Sequence, residues 1–187
     1  MENQRNMKWL PLLGAGLLIA LGLGLAIIYG FGYAGTASTG ENKAPESAEV
    51  GALGPDFELE TLSGENIRLS DLQGKPVLIN FWATWCAPCV LEMPNFQKYY
   101  EDYPGAFEVL AVNAFESHDT VADFVEDARV TFPILFDPES KVHSVYRIPG
   151  YPTSYVIDRD GVVRFKHIGL MDEGALERYL TEVEAIQ

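Results

Sequence analysis

Positive charge is scarce in this chain. Thirteen Lys and Arg stand against 27 Asp and Glu, a formal net charge of −14 over 187 residues. Nucleic-acid binding requires a basic footprint to neutralise phosphates, so nucleic acid is excluded as a partner. Cysteine is scarcer still. Two are present, Cys86 and Cys89, too few for a disulfide framework. The pair must be a single staple, half of a metal site, or a redox couple. Histidine is limited to His118, His143 and His167, scattered singly with no ligand spacing among them. Each reads as an ordinary surface or half-buried residue. No internal repeat is present.

What the chain does have is a long uncharged N-terminal run. After Arg5 and Lys8 no charged side chain occurs from Trp9 to Tyr33, and the next is Glu41. A helix of about 20 apolar residues crosses the hydrocarbon core, whereas the apolar region of a signal peptide is usually about 7–15 residues long. Residues 9–33 are therefore expected to form a retained transmembrane anchor, with cleavage at the small residues Gly35-Thr36-Ala37 as the alternative. No cysteine lies near the segment, which excludes its lipidation there. Arg5 and Lys8 precede the run while Glu41, Glu46 and Glu49 come after it. The positive-inside bias thus makes residues 1–8 cytoplasmic and exports the chain beyond residue 35. Trp9 at one end, with Tyr29 and Tyr33 at the other, fits interfacial anchoring. Residues 34–54, rich in Gly, Ala, Ser, Thr and Glu, read as a flexible tether, and residues 55–187 as one compact domain.

Within that domain, Phe57, Leu59 and Thr61, then Ile67 and Leu69, alternate around Ser63-Gly64-Glu65, the pattern of a β-hairpin. Val77-Leu78-Ile79-Asn80-Phe81-Trp82 is a short apolar run typical of a strand buried on both faces. A helix is expected from about Cys86 to Tyr100, with Pro94 kinking it. A second buried strand spans Phe107 to Ala114, and Val121, Phe124, Val125 and Ala128 recur at helical spacing. Ile134-Leu135-Phe136 reads as a strand, with a helix around Ser140 to Tyr146. Thr153 to Ile157 and Val162 to Ile168 form a hairpin across Asp158-Arg159-Asp160-Gly161. Leu176, Tyr179, Leu180 and Val183 are the apolar face of a last helix. Strands alternating with helices point to an α/β fold with a mainly parallel sheet, closed by a hairpin.

The chemistry sits at Trp85-Cys86-Ala87-Pro88-Cys89. A Cys-x-x-Cys where a buried strand meets a helix is a strong redox signal. At the helix start, unpaired backbone N–H groups and the positive end of the dipole favour the Cys86 thiolate, the attacking species. Cys89 lies about one turn later, within bridging reach and shielded inside the first turn. It would act as the resolving thiol. A staple closing so small a loop would restrain little of the unfolded chain. Structural zinc needs four ligands, and no second Cys pair exists. No metal or other cofactor is expected beyond the redox-active disulfide itself.

The stretch Asn80-Phe81-Trp82-Ala83-Thr84-Trp85-Cys86-Ala87-Pro88-Cys89, with Glu92, Pro94 and the later Gly150-Tyr151-Pro152-Thr153, resembles the TlpA/ResA/CcmG branch of thioredoxin-like proteins over about residues 54–187. The resemblance implies a thioredoxin-like fold with an N-terminal β-hairpin extension and an inserted helix/strand segment, here preceded by one transmembrane helix. Members of that branch are membrane-tethered thiol–disulfide oxidoreductases, many of which reduce the haem-binding cysteines of apocytochrome c. It makes Cys86 the nucleophile and Cys89 the resolving thiol. It also makes Pro152 a cis proline facing the disulfide, although cis occurs in only about 5–6% of X–Pro bonds. A cis turn would present the Tyr151 backbone as an edge for an extended substrate. Glu92 matches an acidic position beneath the cysteine pair, able to relay protons or tune a thiol, with a solvated helix glutamate as the plain alternative. Trp85 is expected as an apolar lid beside the dithiol and Trp82 as core. One departure is Asn80, where thioredoxin itself carries a buried Asp. Asn takes up no proton at neutral pH, so Glu92 is the better candidate base.

The expected activity is a reductase of exported protein disulfides, with apocytochrome c as first substrate class and an integral membrane thiol protein as electron donor. A disulfide oxidase or isomerase is the second reading. A copper metallochaperone is the third, since soft thiolates suit Cu(I). Copper-handling relatives, however, resemble Cys-x-x-x-Cys with a distant His, and the two-residue gap here departs from that.

Overall fold

The computed structural model describes residues 46–186. The expected cytoplasmic stretch 1–8, the expected anchor 9–33 and the first part of the expected tether lie outside the described residues. Among the described residues no helix is long and apolar enough to cross a membrane. The elements are β1 (Glu58–Thr61), β2 (Asn66–Arg68), a 3-10 turn (Leu69–Leu72), β3 (Val77–Trp82), α1 (Ala87–Asp102) and β4 (Glu108–Asn113). They continue with α2 (His118–Ala128), β5 (Ile134–Phe136), α3 (Lys141–Val145), β6 (Thr153–Ile157), β7 (Val163–Ile168) and α4 (Glu173–Glu182).

The seven strands form one sheet in the order β2-β1-β5-β4-β3-β6-β7. Among these seven strands, parallel pairing holds for β3 with β4 and β4 with β5. The pairs β1–β2, β1–β5, β3–β6 and β6–β7 are antiparallel. The sheet is therefore mixed rather than mainly parallel, and the short α3 explains why. Its five residues rise about 7–8 Å, too little to carry the chain back along a strand of roughly 20 Å. The chain instead turns at the end where β3 finishes, and Thr153 pairs with Phe81 as β6 sets off antiparallel.

β3 is buried along its whole length, and pleating sends alternate side chains to opposite faces. Leu78 and Trp82 enter a core with Cys89, Met93 and Phe96 of α1 and Leu176 and Leu180 of α4. Ile79 and Phe81 join Leu110, Leu135, Val142, Tyr146 and Tyr155 on the other face. Asn80 shares the α1 face with Leu78 and Trp82 by this alternation, so a buried amide is aimed at the helix that carries both cysteines. Pro94 lies inside α1, which runs on through it to Asp102. In the first hairpin Gly64 takes φ +85°, a left-handed turn conformation that glycine reaches without steric cost.

The tether expected through residue 54 ends sooner, because residues 46–54 belong to the domain. Leu53 bridges both Glu46 and Val162. The Gly51 N–H donates to Val163 O at 2.8 Å and the Gly54 N–H to Gly161 O at 2.9 Å, while Ala48 is buried. Small and polar composition suggested flexibility there, but small residues also fit a backbone laid closely against β7. Just beyond, the buried Tyr146 hydroxyl donates to Pro55 O at 2.8 Å. Tyr146→Phe strands that carbonyl and should cost about 1–2 kcal/mol, read as a lower midpoint in denaturant unfolding. An unchanged midpoint would show that this bond does not hold the segment down.

Candidate active site

β3 ends at Trp82, and the turn Ala83-Thr84-Trp85 delivers Cys86 to the N-cap of α1, where the Cys86 N–H donates to Ala83 O at 3.2 Å. Pro88 sits in the first helical turn, where its missing N–H costs nothing. The Cys89 N–H points at Cys86 Sγ at 3.3 Å, so one unpaired donor of the helix start is directed at the first sulfur. Cys86 and Cys89 form a disulfide with their Cα atoms 5.2 Å apart, within the usual bridging range. Cys89 is sealed from solvent while Cys86 keeps a 5% opening, and Trp85 beside it is 68% exposed.

Beneath the disulfide lies Glu92, wholly buried. It is not a solvated helix glutamate. Its Oε1 accepts from Asn80 Nδ2 at 2.7 Å and its Oε2 from the Met171 N–H at 2.9 Å. Asn80 Nδ2 also donates to Ser154 Oγ at 2.9 Å. Burial drives the Glu92 pKa upward and the two hydrogen bonds draw it back down, for a result raised to about 7. A carboxyl that trades its proton near neutrality is suited to general acid–base work.

The Tyr151–Pro152 peptide is cis. The Pro152 carbonyl is held by the Gly169 N–H at 2.9 Å. The Tyr151 ring meets Trp85 edge-on, with centroids 5.8 Å apart. That contact brings together Trp85, Tyr151 and, through the chain, Pro152. Trp82, by contrast, is fully buried against Phe124, 5.1 Å between centroids.

Two further groups at the site carry little signal in the sequence. Glu116 is a clamp. Its carboxylate accepts from the Thr84 N–H at 2.7 Å, from the Thr84 hydroxyl, and from Asn113 Nδ2 at 2.8 Å. It thereby fixes the turn two residues before Cys86. His143 is buried rather than on the surface or half-buried. Its Nδ1 lies 2.8 Å from Asp137 Oδ2, which also accepts the His143 N–H, while Oδ1 takes the Lys141 N–H. The ring packs on Phe81 and Phe115, each 5.0 Å away, and on Tyr151 at 5.9 Å. An Asp-Pro pair just ahead of a helix was the available hint of such a cap. Among the described residues no group of three or more His, Cys, Asp or Glu could hold a metal ion.

Comparison with known proteins agrees with this geometry. The AhpC/TSA family profile matches residues 50–166. The thioredoxin-like protein YneN of Bacillus subtilis is 41% identical over 142 residues, 74% of this chain and 83% of YneN. The thiol–disulfide oxidoreductase ResA of the same organism is 34% identical over 169 residues, 90% of this chain and 93% of ResA. Among solved structures, a thiol:disulfide interchange protein DsbE from Chlorobium tepidum superposes with a TM-score of 0.68 at 33% identity. It covers 72% of this chain and 97% of its own.

The buried carboxyl makes stability depend on pH. An ordinary glutamate loses its proton near 4.5 and Glu92 at about 7, so the folded state holds the proton more tightly than the unfolded chain. Stability from this group is complete below about pH 4.5 and declines as pH rises to about 7, by about 3 kcal/mol in all. Denaturant unfolding of the oxidised protein at pH 5 and pH 8 should show this loss in the wild type and not in Glu92→Gln. Equal slopes in the two proteins would place Glu92 among ordinary glutamates.

Proposed function

This chain belongs to the AhpC/TSA family and is a thiol–disulfide oxidoreductase, and on that premise we propose that it reduces disulfides of exported proteins from a membrane-tethered position. The observation that carries the reading is the asymmetric pair at the start of α1: Cys86 reachable and faced by a backbone N–H, Cys89 sealed behind it above Glu92. In the reduced protein the Cys86 thiolate attacks one sulfur of the target disulfide, and the other target sulfur leaves as a thiolate that takes up a proton. The Cys89 thiol then gives up its proton, with Glu92, one helical turn on, as the acceptor. The new thiolate attacks Cys86 Sγ, the second target sulfur leaves as a thiolate that takes up a proton to complete the target's dithiol, and the protein is left with the Cys86–Cys89 disulfide.

Each turnover moves two electrons out of the protein, so a thiol donor must restore them. The uncharged run Trp9–Tyr33 suits an anchor, and an integral membrane thiol protein suits the donor. Trp85, Tyr151 and the cis Pro152 would seat the target segment beside Cys86. The resemblance to the ResA branch makes apocytochrome c, with its haem-site cysteine pair, the first substrate to test.

Cys86→Ser should abolish exchange, whereas Cys89→Ser should accumulate a mixed disulfide with the target, visible by mass. Exchange at the wild-type rate in Cys86→Ser would sink the mechanism. Equilibration with glutathione should give a reduction potential near about −270 mV, as in a reducing thioredoxin. A value near about −120 mV would reverse the direction of electron flow and make the protein an oxidant.

A further inference from the structure

A groove of about 660 Å³ lies between β1 and α3, away from the disulfide itself. Its apolar wall includes Leu59, Phe136, Val142 and Val145, and Val145 leaves 51% of its surface open to water. β1 is paired on both sides, with β2 and β5, so the groove offers side-chain contacts and not a free strand edge. Four exposed carboxylates also line it: Asp56, Glu58, Glu60 and Glu139. Two cations answer them. Arg68 pairs with Glu58 and Asp56, and Lys141 with Glu139, which leaves two of the four negative charges in surplus and Glu60 with no ion pair among the described residues.

The groove does not end blindly. It shares Phe136, Asp137 and Pro138 with a smaller cleft of about 170 Å³ lined by Phe115 and Glu116. Glu116 is the residue bonded to Thr84 in the turn that carries Cys86. Groove and cleft thus meet at shared walls, and Glu116 ties the cleft to the dithiol turn. None of the loops around the dithiol, residues 83–86, 114–118 and 149–152, contains a Lys or Arg.

Resting on the oxidoreductase reading, we propose that this groove is a docking site for an extended, cationic and apolar segment of the protein whose disulfide is exchanged, some residues away from its cysteines. Apolar side chains of that segment cover Val145 and Leu59, and its Lys or Arg meet Glu60 and its neighbours. Affinity for such a segment raises the local concentration of the target disulfide at Cys86 without altering the chemistry.

The test uses the full chain, reduced, with three peptide disulfides of identical sequence around the cystine. One has no extension, one a ten-residue Lys/Leu extension, and one a Glu/Ser extension of the same length. The Lys/Leu extension should raise kcat/KM roughly tenfold over the unextended peptide, through KM, and added salt should erode the gain. The Glu/Ser extension should give no gain. Glu60→Lys and, separately, Val145→Arg should each abolish most of the gain while leaving the unextended peptide's rate unchanged. A gain that is absent, or that survives both substitutions, overturns the proposal. So does a native mass that rises with concentration and falls on Val145→Arg, since the groove would then hold a second copy of the chain. Failure of the unextended peptide to react at all would instead count against the reductase reading.

Discussion

The site depends on a carboxyl group shut away from water. Glu92 joins α1 to β3 through Asn80, and to the segment ahead of α4 through the Met171 N–H. Asn80 carries the connection on to Ser154 of β6. A buried carboxyl without partners would cost several kcal/mol, and these donors are what make it tolerable. The identity of residue 80 matters here. An acid in its place would put two carboxyls within 3 Å, where they could not both ionise. The Asn amide is a pure donor toward Glu92, and its second N–H is spent on Ser154. The result is one titrating group where thioredoxin's own pattern would place another, and its proton is exchangeable near neutrality.

Around that group the dithiol is framed by contacts that succeed one another in space and not in sequence. Trp85 rests on Tyr151, Tyr151 on His143, and His143 on Phe115. Glu116, the neighbour of Phe115, is bonded back to Thr84, the neighbour of Trp85. Phe115 adopts φ +59°, a left-handed conformation that is unfavourable for a bulky residue. The Glu116 N–H donates to Asn113 Oδ1 at 3.2 Å across it, and the Thr84 bonds add to the constraint. A frame closed in this way anchors the turn before Cys86 through contacts that involve neither sulfur, which suits repeated exchange at one atom.

Features set by local pattern were legible in the sequence. The run Val77–Trp82 is a strand because no polar side chain but Asn80 interrupts it, and the helix after Cys86 starts where the cysteine motif and Pro88 require. Thr153–Ile157 was readable from its β-branched and aromatic residues. Strand direction was not, because it depends on how far the chain travels between strands, and α3 proved too short to bring it back. Composition also misled at residues 46–54, where small residues that suit a tether lie flat against β7. Glu116 and His143 have partners 32 and 6 residues away, and neither is the i, i+3 or i, i+4 spacing at which a helix pairs its side chains. The place of Glu92 beneath the cysteines came from the family resemblance and not from local pattern, since nothing local to α1 announces that Asn80 and Met171 will face it.

The balance of charges around the dithiol bears on the direction of electron flow. At the helix N-cap, the N–H of Cys89 and the dipole favour a Cys86 thiolate, and a thiol stabilised in that way makes the reduced form persist and the protein oxidising. Two acidic residues oppose this. Glu92, once ionised, is a negative charge beneath the pair, Glu116 is bonded two residues ahead of it, and negative charge near a thiol disfavours its ionisation. No Lys or Arg occurs from Ala83 through Gln97 to offset them. Weakening the thiolate weakens the reduced form relative to the disulfide, and a dithiol that prefers to be a disulfide gives its electrons away. The same acids would therefore favour the electron-donating direction proposed above, and the part due to ionised Glu92 would be screened poorly by salt, because Glu92 has no solvent exposure through which ions could reach it.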